Sequence, residues 1–228
     1  MLTVRVQARY PKKELLSMLK FLIADDHPLF REALKGALQA HYEKVVFLES
    51  DSLESTVRVL RNTRNIALVI LDLHMPGCDN FYGLLRVRQS FSDVPVVVVS
   101  ANDAIETVSK VMEFGAQGFI PKTTSTLVMK TAIDIILRGG SWVPENMKAA
   151  LESVDPEAKD IAKKLRELTP KQFQVLRLVK DGMMNKQIAD KLNVTEATVK
   201  AHIGGIFKKL EVKTRTQIVL AVDKLQLD

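Results

Sequence analysis

The 228-residue chain contains a single cysteine, Cys78, which excludes an internal disulfide and points to a reducing compartment. No uninterrupted apolar stretch reaches the ~20 residues that a membrane span needs, so no membrane partner is expected and the cytoplasm is the expected location. The opening MLTVRVQARYPKKELLSM lacks the apolar core and small-residue cleavage site of a secretory signal, and Lys20 interrupts its only apolar stretch. Residues 1–18 are therefore read as a flexible extension, with Met18 standing directly before the first strand as a second possible start. No glycine-rich loop of the P-loop or dinucleotide-binding kind occurs. What the chain does have is an uneven charge. The net +6 is made of +5 in residues 169–228 and +3 in residues 1–18, which leaves −2 for the body between them. A small basic module on a mildly acidic body calls for a polyanionic partner such as nucleic acid.

Apolar runs recur at Phe21 to Ala24, Val45 to Leu48, Ile66 to Leu71, Val94 to Val99 and Gly118 to Ile120. Segments of helical spacing lie between them, such as Leu29, Ala33, Leu34, Ala37 and Leu38. Strand and helix thus alternate five times, which predicts a five-stranded parallel sheet with helices on both faces. The pattern breaks at GGSWVPENMK, and after the charged residues that follow there is no further strand signal. The expected division is an α/β domain over 19–138, a linker over 139–168, and a small all-α domain over 169–228.

The third run, Ala67 to Leu71, suits a strand buried on both faces, where an ionised carboxylate has no place without a partner. The sheet must therefore end before Asp72, and the turn-forming Met75-Pro76-Gly77 follows it. The first run ends in Asp25 and Asp26, which a parallel sheet brings beside Asp72 at the edge where open α/β folds bind ligands. Two carboxylates ~5 Å apart repel by roughly 3 kcal/mol at an effective dielectric near 20. The site calls for a cation, and Mg²⁺, with its preference for oxygen ligands, fits best. The fourth run ends in Ser100 and the fifth leads to Lys122. An ammonium and a metal together can neutralise a phosphoryl group arriving on Asp72 as an acyl phosphate. His27, at a helix start, reads as a surface or capping residue, and Cys78 as an incidental loop residue.

These markers and their spacing resemble the receiver domain of two-component response regulators, a flavodoxin-like fold. The resemblance implies that Asp72 is the phosphoacceptor, and that Asp26, Asp72 and the main-chain carbonyl of His74 hold Mg²⁺ with Asp25 assisting. It also implies that Lys122 contacts the phosphoryl group and that Ser100 and Phe119 form the switch pair, Phe119 turning inward on phosphorylation. Thr123 follows the lysine where many receivers have proline, and Phe119 stands where many have tyrosine.

The C-terminal module reads as a helix, a stop at Gly182, a second helix, a short turn at Asn193-Val194, and a longer helix that Thr195 caps and Glu196 favours through the dipole. On that longer helix Val199, Ile203, Ile206 and Leu210 form the core stripe. The opposite stripe, Ala197, Ala201, Gly204 and Lys208, lacks long apolar side chains, and Lys200 and His202 flank it. This is helix-turn-helix geometry aimed at a major groove. The stretch resembles the LuxR-type helix-turn-helix, and with the receiver it resembles the NarL/FixJ-type response regulators. By position, Lys200, Ala201 and Gly204 are then groove-facing, with Lys186, Thr198 and His202 near the backbone or groove edge. Several relatives carry a long basic side chain at Gly204, so direct base reading is expected to be thin and to rest on Lys200 and DNA shape. The final helix, Thr214 to Leu227, offers Ile218, Val222 and Leu225 to the core. It leaves Val219 and Leu220 for either core packing or a homodimer seam.

The implied function is a transcriptional regulator of double-stranded DNA, not an enzyme, switched when a sensor histidine kinase phosphorylates Asp72 and pairing as a homodimer in that state. An aspartyl-phosphate phosphatase is the enzymatic alternative, but it wants a second acid two residues after the nucleophile, where this chain has His74. A DNA-binding protein whose receiver no longer switches is the third reading.

Overall fold

The computed structural model describes residues 19–78, 81–152 and 156–223. The expected extension at 1–18 and Leu225 lie outside the described residues. The chain divides into two compact units, 1–153 and 154–228.

In the first unit, β1 (Lys20–Ala24), β2 (Val46–Ser50), β3 (Ile66–Leu71), β4 (Val96–Ser100) and β5 (Gly118–Pro121) form one parallel sheet in the order β2-β1-β3-β4-β5. All six residues of β3 are buried, as its unbroken apolar run requires, whereas edge strand β2 is only partly so. Between the strands run α1 (Pro28–Gln39), α2 (Leu53–Asn62), α3 (Tyr82–Ser90) and α4 (Ile105–Glu113), and α5 (Thr126–Leu137) follows β5. Phe21, Ile23, Leu68, Ile70, Val97, Val99 and Ile120 cluster with Leu34 and Leu38 of α1 and with Met129, Ala132, Ile133 and Ile136 of α5. Strand side chains alternate in direction, so the equally buried Leu22, Val69, Leu71, Val98 and Phe119 face the opposite side, where α2 packs on β1 and α4 on β5. The five-stranded parallel α/β domain expected from the apolar runs is the one observed.

The register fixes the ligand edge. Ala24 lies opposite Leu71, so Asp25 and Asp72 leave the sheet side by side, and the Asp72 N–H donates to the Ala24 carbonyl at 2.8 Å. Ser100 lies opposite Pro121, and the Lys122 N–H donates to the Ser100 carbonyl at 2.9 Å. Strand order reverses between β1 and β3, the crevice where open α/β sheets take their ligands.

The stretch expected as a linker, 139–168, contains two helices. Trp142 bridges β5 at Gly118, and α6 (Glu145–Glu152) packs on α4 within the first unit. α7 (Pro156–Arg166) packs on α10 (Glu196–Leu210) in the second, where Leu165 and Leu168 are fully buried. Ile161, Ala162, Leu165 and Leu168 recur at helical spacing among charged neighbours, a narrow stripe that the surrounding charge masks in the sequence.

The second unit continues with α8 (Pro170–Lys180), α9 (Asn185–Leu192), α10 and α11 (Arg215–Asp223). Thr169 and Gln172 cap α8 reciprocally, and the chain turns through left-handed Asn193 into α10. Val199, Ile203, Ile206 and Leu210 are buried, as their spacing predicts, and so are Ile218 and Val222 of α11.

Candidate functional site

Each acid of the pocket comes from a different position on one sheet edge. Asp25 and Asp72 are 2% and 3% exposed, and Asp26 is half-buried beside them. Lys122, arriving from the end of β5, places its Nζ 2.6 Å from Asp25 Oδ2 and 3.5 Å from Asp72 Oδ2. One ammonium thus faces two carboxylates, while Asp26 lies beside the His27 ring. Burial pushes the Asp72 carboxyl above its ordinary range; Lys122 opposes this and the charge of Asp25 adds to it. A carboxyl raised in this way is a group whose ionised form gains from an incoming cation.

The residues fit a hard divalent cation. Asp25 Oδ2, Asp26 Oδ1 and Asp72 Oδ2 are buried and have only ionic neighbours, the Lys122 ammonium and the His27 ring, with no well-aligned hydrogen-bond donor. One ligand atom from each of Asp25, Asp26, His27 and Asp72 falls within 4.8 Å of the others. Oxygen donors converging with unspent lone pairs are what Mg²⁺ takes. His74 lies two residues beyond Asp72 with its side chain exposed, so only its main chain is suited to join them. His27 is a surface residue at the N-cap position of α1, though its side chain makes no cap hydrogen bond: it is 66% exposed, with Nδ1 2.8 Å from Asp26 Oδ1 and 3.1 Å from Asp25 Oδ1.

Ser100 is fully buried at the tip of β4, where its Oγ accepts from the Asn102 N–H at 3.2 Å. Phe119 is also fully buried. Its position in β5 sends the ring to the α4 side, by the alternation of strand side chains. Cys78 differs from expectation. It is fully buried, and a Cβ at Gly83 would stand 2.2 Å from its Sγ, so the thiol fills a space that Gly83 leaves.

Two neighbours of the pocket escaped the sequence reading, both in the first turn of α1. Arg31 Nη1 donates to the Asp25 carbonyl at 2.6 Å and Nε reaches Glu49 at 3.3 Å, which pins the turn that carries the acids. The Phe30 ring lies beside Lys122, its centroid 4.5 Å from Nζ. Their only signal in sequence is that Pro28 starts a helix directly after the acids.

In the second unit none of the residues expected to face DNA is fully buried. Lys186, Lys200, Ala201, Gly204 and Lys208 are exposed, and Thr198 and His202 half-buried. Thr195 Oγ1 accepts from the Thr198 N–H at 3.1 Å, the cap that starts α10. The two helix glycines differ. A Cβ at Gly205 would stand 2.3 Å from Gln172 Nε2, whereas one at Gly204 would meet nothing within 4 Å. On α11, Leu220 is 58% exposed and Val219 half-buried, so neither is taken up fully by the core.

Known proteins share this arrangement. Residues 21–134 match the family of the response regulator receiver domain, and residues 166–222 match the luxR family of bacterial regulatory proteins. The glycerol metabolism activator of Pseudomonas putida is 36% identical over 209 residues, covering 90% of this chain and 95% of that protein. The nitrate/nitrite response regulator protein NarL of Escherichia coli K12 is 28% identical over 202 residues, covering 88% of this chain and 93% of NarL. The Salmonella typhimurium response regulator RcsB, at 23% identity, has the same fold with a TM-score of 0.55 over 91% of this chain and 98% of its own. Among the described residues no helix is long and apolar enough to cross a membrane. Both family models are matched in order and the relatives are covered almost end to end: the chain belongs to the NarL/FixJ-type response regulators, two-component transcription regulators that join a receiver to a LuxR-type DNA-binding domain.

Proposed function

We propose that this response regulator accepts a phosphoryl group on Asp72 from a sensor histidine kinase, and that the modification controls how residues 169–228 bind double-stranded DNA. The observation that carries this reading is the convergence of Asp25, Asp72 and Lys122 at the strand-order reversal, with the ammonium 2.6 and 3.5 Å from the two carboxylates. An Asp72 carboxylate oxygen attacks phosphorus, an O–P bond forms, and the P–N bond to the donor imidazole breaks with its electron pair leaving on nitrogen. Asp25, Asp26, Asp72 and the His74 carbonyl would hold Mg²⁺, which when bound supplies positive charge to the transferring phosphoryl oxygens. Lys122 shifts from Asp25 toward the new anion, and buried Ser100 gives it a hydroxyl partner. Ser100 and Phe119, both fully buried, form the switch pair through which the signal passes.

On the DNA side, Lys200, Ala201, Gly204 and Lys208 enter the major groove while Lys186, Thr198 and His202 meet the backbone or groove edge. Val219 and Leu220 form the seam of a cytoplasmic homodimer whose half-sites lie about one helical turn apart. RcsB has been solved as dimers bound to DNA, and α11 offers this chain an apolar strip for the same use. The chain acts by binding and not by turnover: the position two residues after Asp72 holds His74 and no second acid.

The test is to incubate the full chain with acetyl phosphate and Mg²⁺ and map the label. It is expected on Asp72 and absent from Asp72→Asn, with operator affinity rising only in the native chain. Label persisting in the variant defeats the assignment. Equal DNA affinity with and without the label defeats the switch.

A further inference from the structure

Lys122 carries a four-carbon flexible stem, so something must hold its ammonium where the phosphoryl group arrives. Asp25 and Asp72 draw it inward. On the α1 side it meets the Phe30 ring at 4.5 Å, closer than the 5.8 Å of Lys110 over Phe81 or the 6.0 Å of Lys130 over Tyr42. An aromatic face bears the negative part of the ring quadrupole and attracts a cation within about 6 Å. The contact is shielded, because the Lys122 side chain is 17% exposed. The ring is also fixed, because Phe30 is half-buried in the first turn of α1 and packs on the core cluster behind it.

Resting on the assignment of Asp72 as acceptor, we propose that Phe30 is a positioning residue for phosphoryl uptake, its ring face holding the Lys122 ammonium at the mouth of the acid pocket. The two attractions on Lys122 differ in kind. The Asp25 contact is a short charge-assisted one that must be exchanged when Lys122 turns to a phosphoryl group on Asp72, whose Oδ2 lies 3.5 Å from Nζ. The ring contact is broad in angle and survives that small movement. Phe30 therefore keeps the cation near both positions and out of the solvent while its carboxylate partner changes.

The test replaces Phe30 in the full chain by phenylalanine with one, two or three ring fluorines, which drain the negative face while keeping the ring's shape. Uptake from acetyl phosphate transfers the phosphoryl group to an Asp72 oxygen as the P–O bond to acetate breaks and acetate leaves with the electron pair. The expected result is a stepwise fall in initial uptake rate along the series, on the order of fivefold by the third fluorine. Phe30→Leu should be at least as slow and Phe30→Tyr close to native. The ring-current shift of the Lys122 ε-methylene protons should vanish in Phe30→Leu and persist in Phe30→Tyr. A flat fluorine series with the label on Asp72 overturns the role of Phe30 alone. Label that survives Asp72→Asn overturns the acceptor assignment and this proposal together.

Discussion

The acid pocket and the recognition helix both work with charge, yet they are built in opposite ways. In the pocket, Asp25 and Asp72 are nearly inaccessible and Lys122 lies within 2.6 to 3.5 Å of each, so pairwise energies are large and geometry decides them. On α9 Lys186 and Lys191, and on α10 Lys200 and Lys208, are exposed, each facing water until a polyanion arrives, and salt screens them collectively. The pocket gathers its groups from separate strand ends, while α10 carries most of its groups at successive positions of one element. A single substitution should therefore silence the first and only weaken the second.

The largest effect sharpens that contrast. Asp25→Asn removes a ligand charge and the nearest partner of Lys122, and Mg²⁺ affinity should fall by at least about tenfold, given ~4 kcal/mol between unit charges 4 Å apart at an effective dielectric of 20. Calorimetric titration of the full chain with Mg²⁺ measures it. In the same variant, DNA affinity without phosphorylation should stay within twofold of native, and a larger change would break the separation between the two regions.

Next in size is Lys200→Ala. If Lys200 reads a base pair as proposed, sequence preference there should flatten by about 1–3 kcal/mol. Competition between the operator and single-base variants at fixed salt reports it. Uniformly weaker binding to all sequences, with a shallower salt dependence, would recast Lys200 as a phosphate contact.

A smaller effect separates the paired glycines of α10. Each costs the helix ~1 kcal/mol against alanine. Gly204→Ala meets open space and should recover about that much stability. Gly205→Ala would push aside Gln172, whose Oε1 accepts from both the Thr169 N–H and Lys209 Nζ, at 2.9 and 2.8 Å. Losing part of that cap offsets the gain, so the two variants should differ by about 1–2 kcal/mol. Equal stability in urea melts would mean that Gln172 yields freely.

How much of this was legible in sequence follows the same division. Strands buried on both faces leave unbroken apolar runs, so the sheet and the acids at its edge could be read directly, and the strand ends brought Asp25, Asp26, Asp72, Ser100 and Lys122 into one expectation. The buried stripe of α10 was legible because helical periodicity is local. What escaped depends on contacts between distant residues. The burial of Cys78 needs the gap at Gly83, and the full burial of Phe119 needs α4 packed over that face of β5. The nearness of Phe30 to Lys122 needs the lysine after β5 to reach the start of α1, which follows β1. The helix α7 was hidden because four apolar residues among many charges read as a solvated stretch until α10 is there to cover them.

The smallest effect lies between the two regimes, in a charge cluster that is only partly buried. Tyr42 donates its hydroxyl to Asp134 Oδ1 at 2.8 Å, and Lys130 Nζ stands 2.5 Å from Oδ2, which ties the loop after α1 to α5. Burial works against ionisation of Asp134, but the hydrogen bonds from Lys130 and Tyr42 outweigh it and hold the carboxyl below its usual range. Burial and the same carboxylate push the Tyr42 hydroxyl far up, so it stays a donor throughout the working range. A carboxyl lowered by folding adds stability that is complete above the unfolded value of about 3.9 and is lost as pH falls through the folded one. With side chains 33% and 28% exposed, the contribution is about 0.5–1 kcal/mol. Asp134→Asn should therefore destabilise the receiver by that amount at pH 7 and by progressively less below about pH 4. Trp142, the only tryptophan, belongs to the receiver unit and reports its unfolding by fluorescence in the full chain. If the deficit stays constant down to pH 2, the loss is one of shape and not of charge, and the ordering from buried pocket through half-buried clasp to exposed helix fails at its middle term.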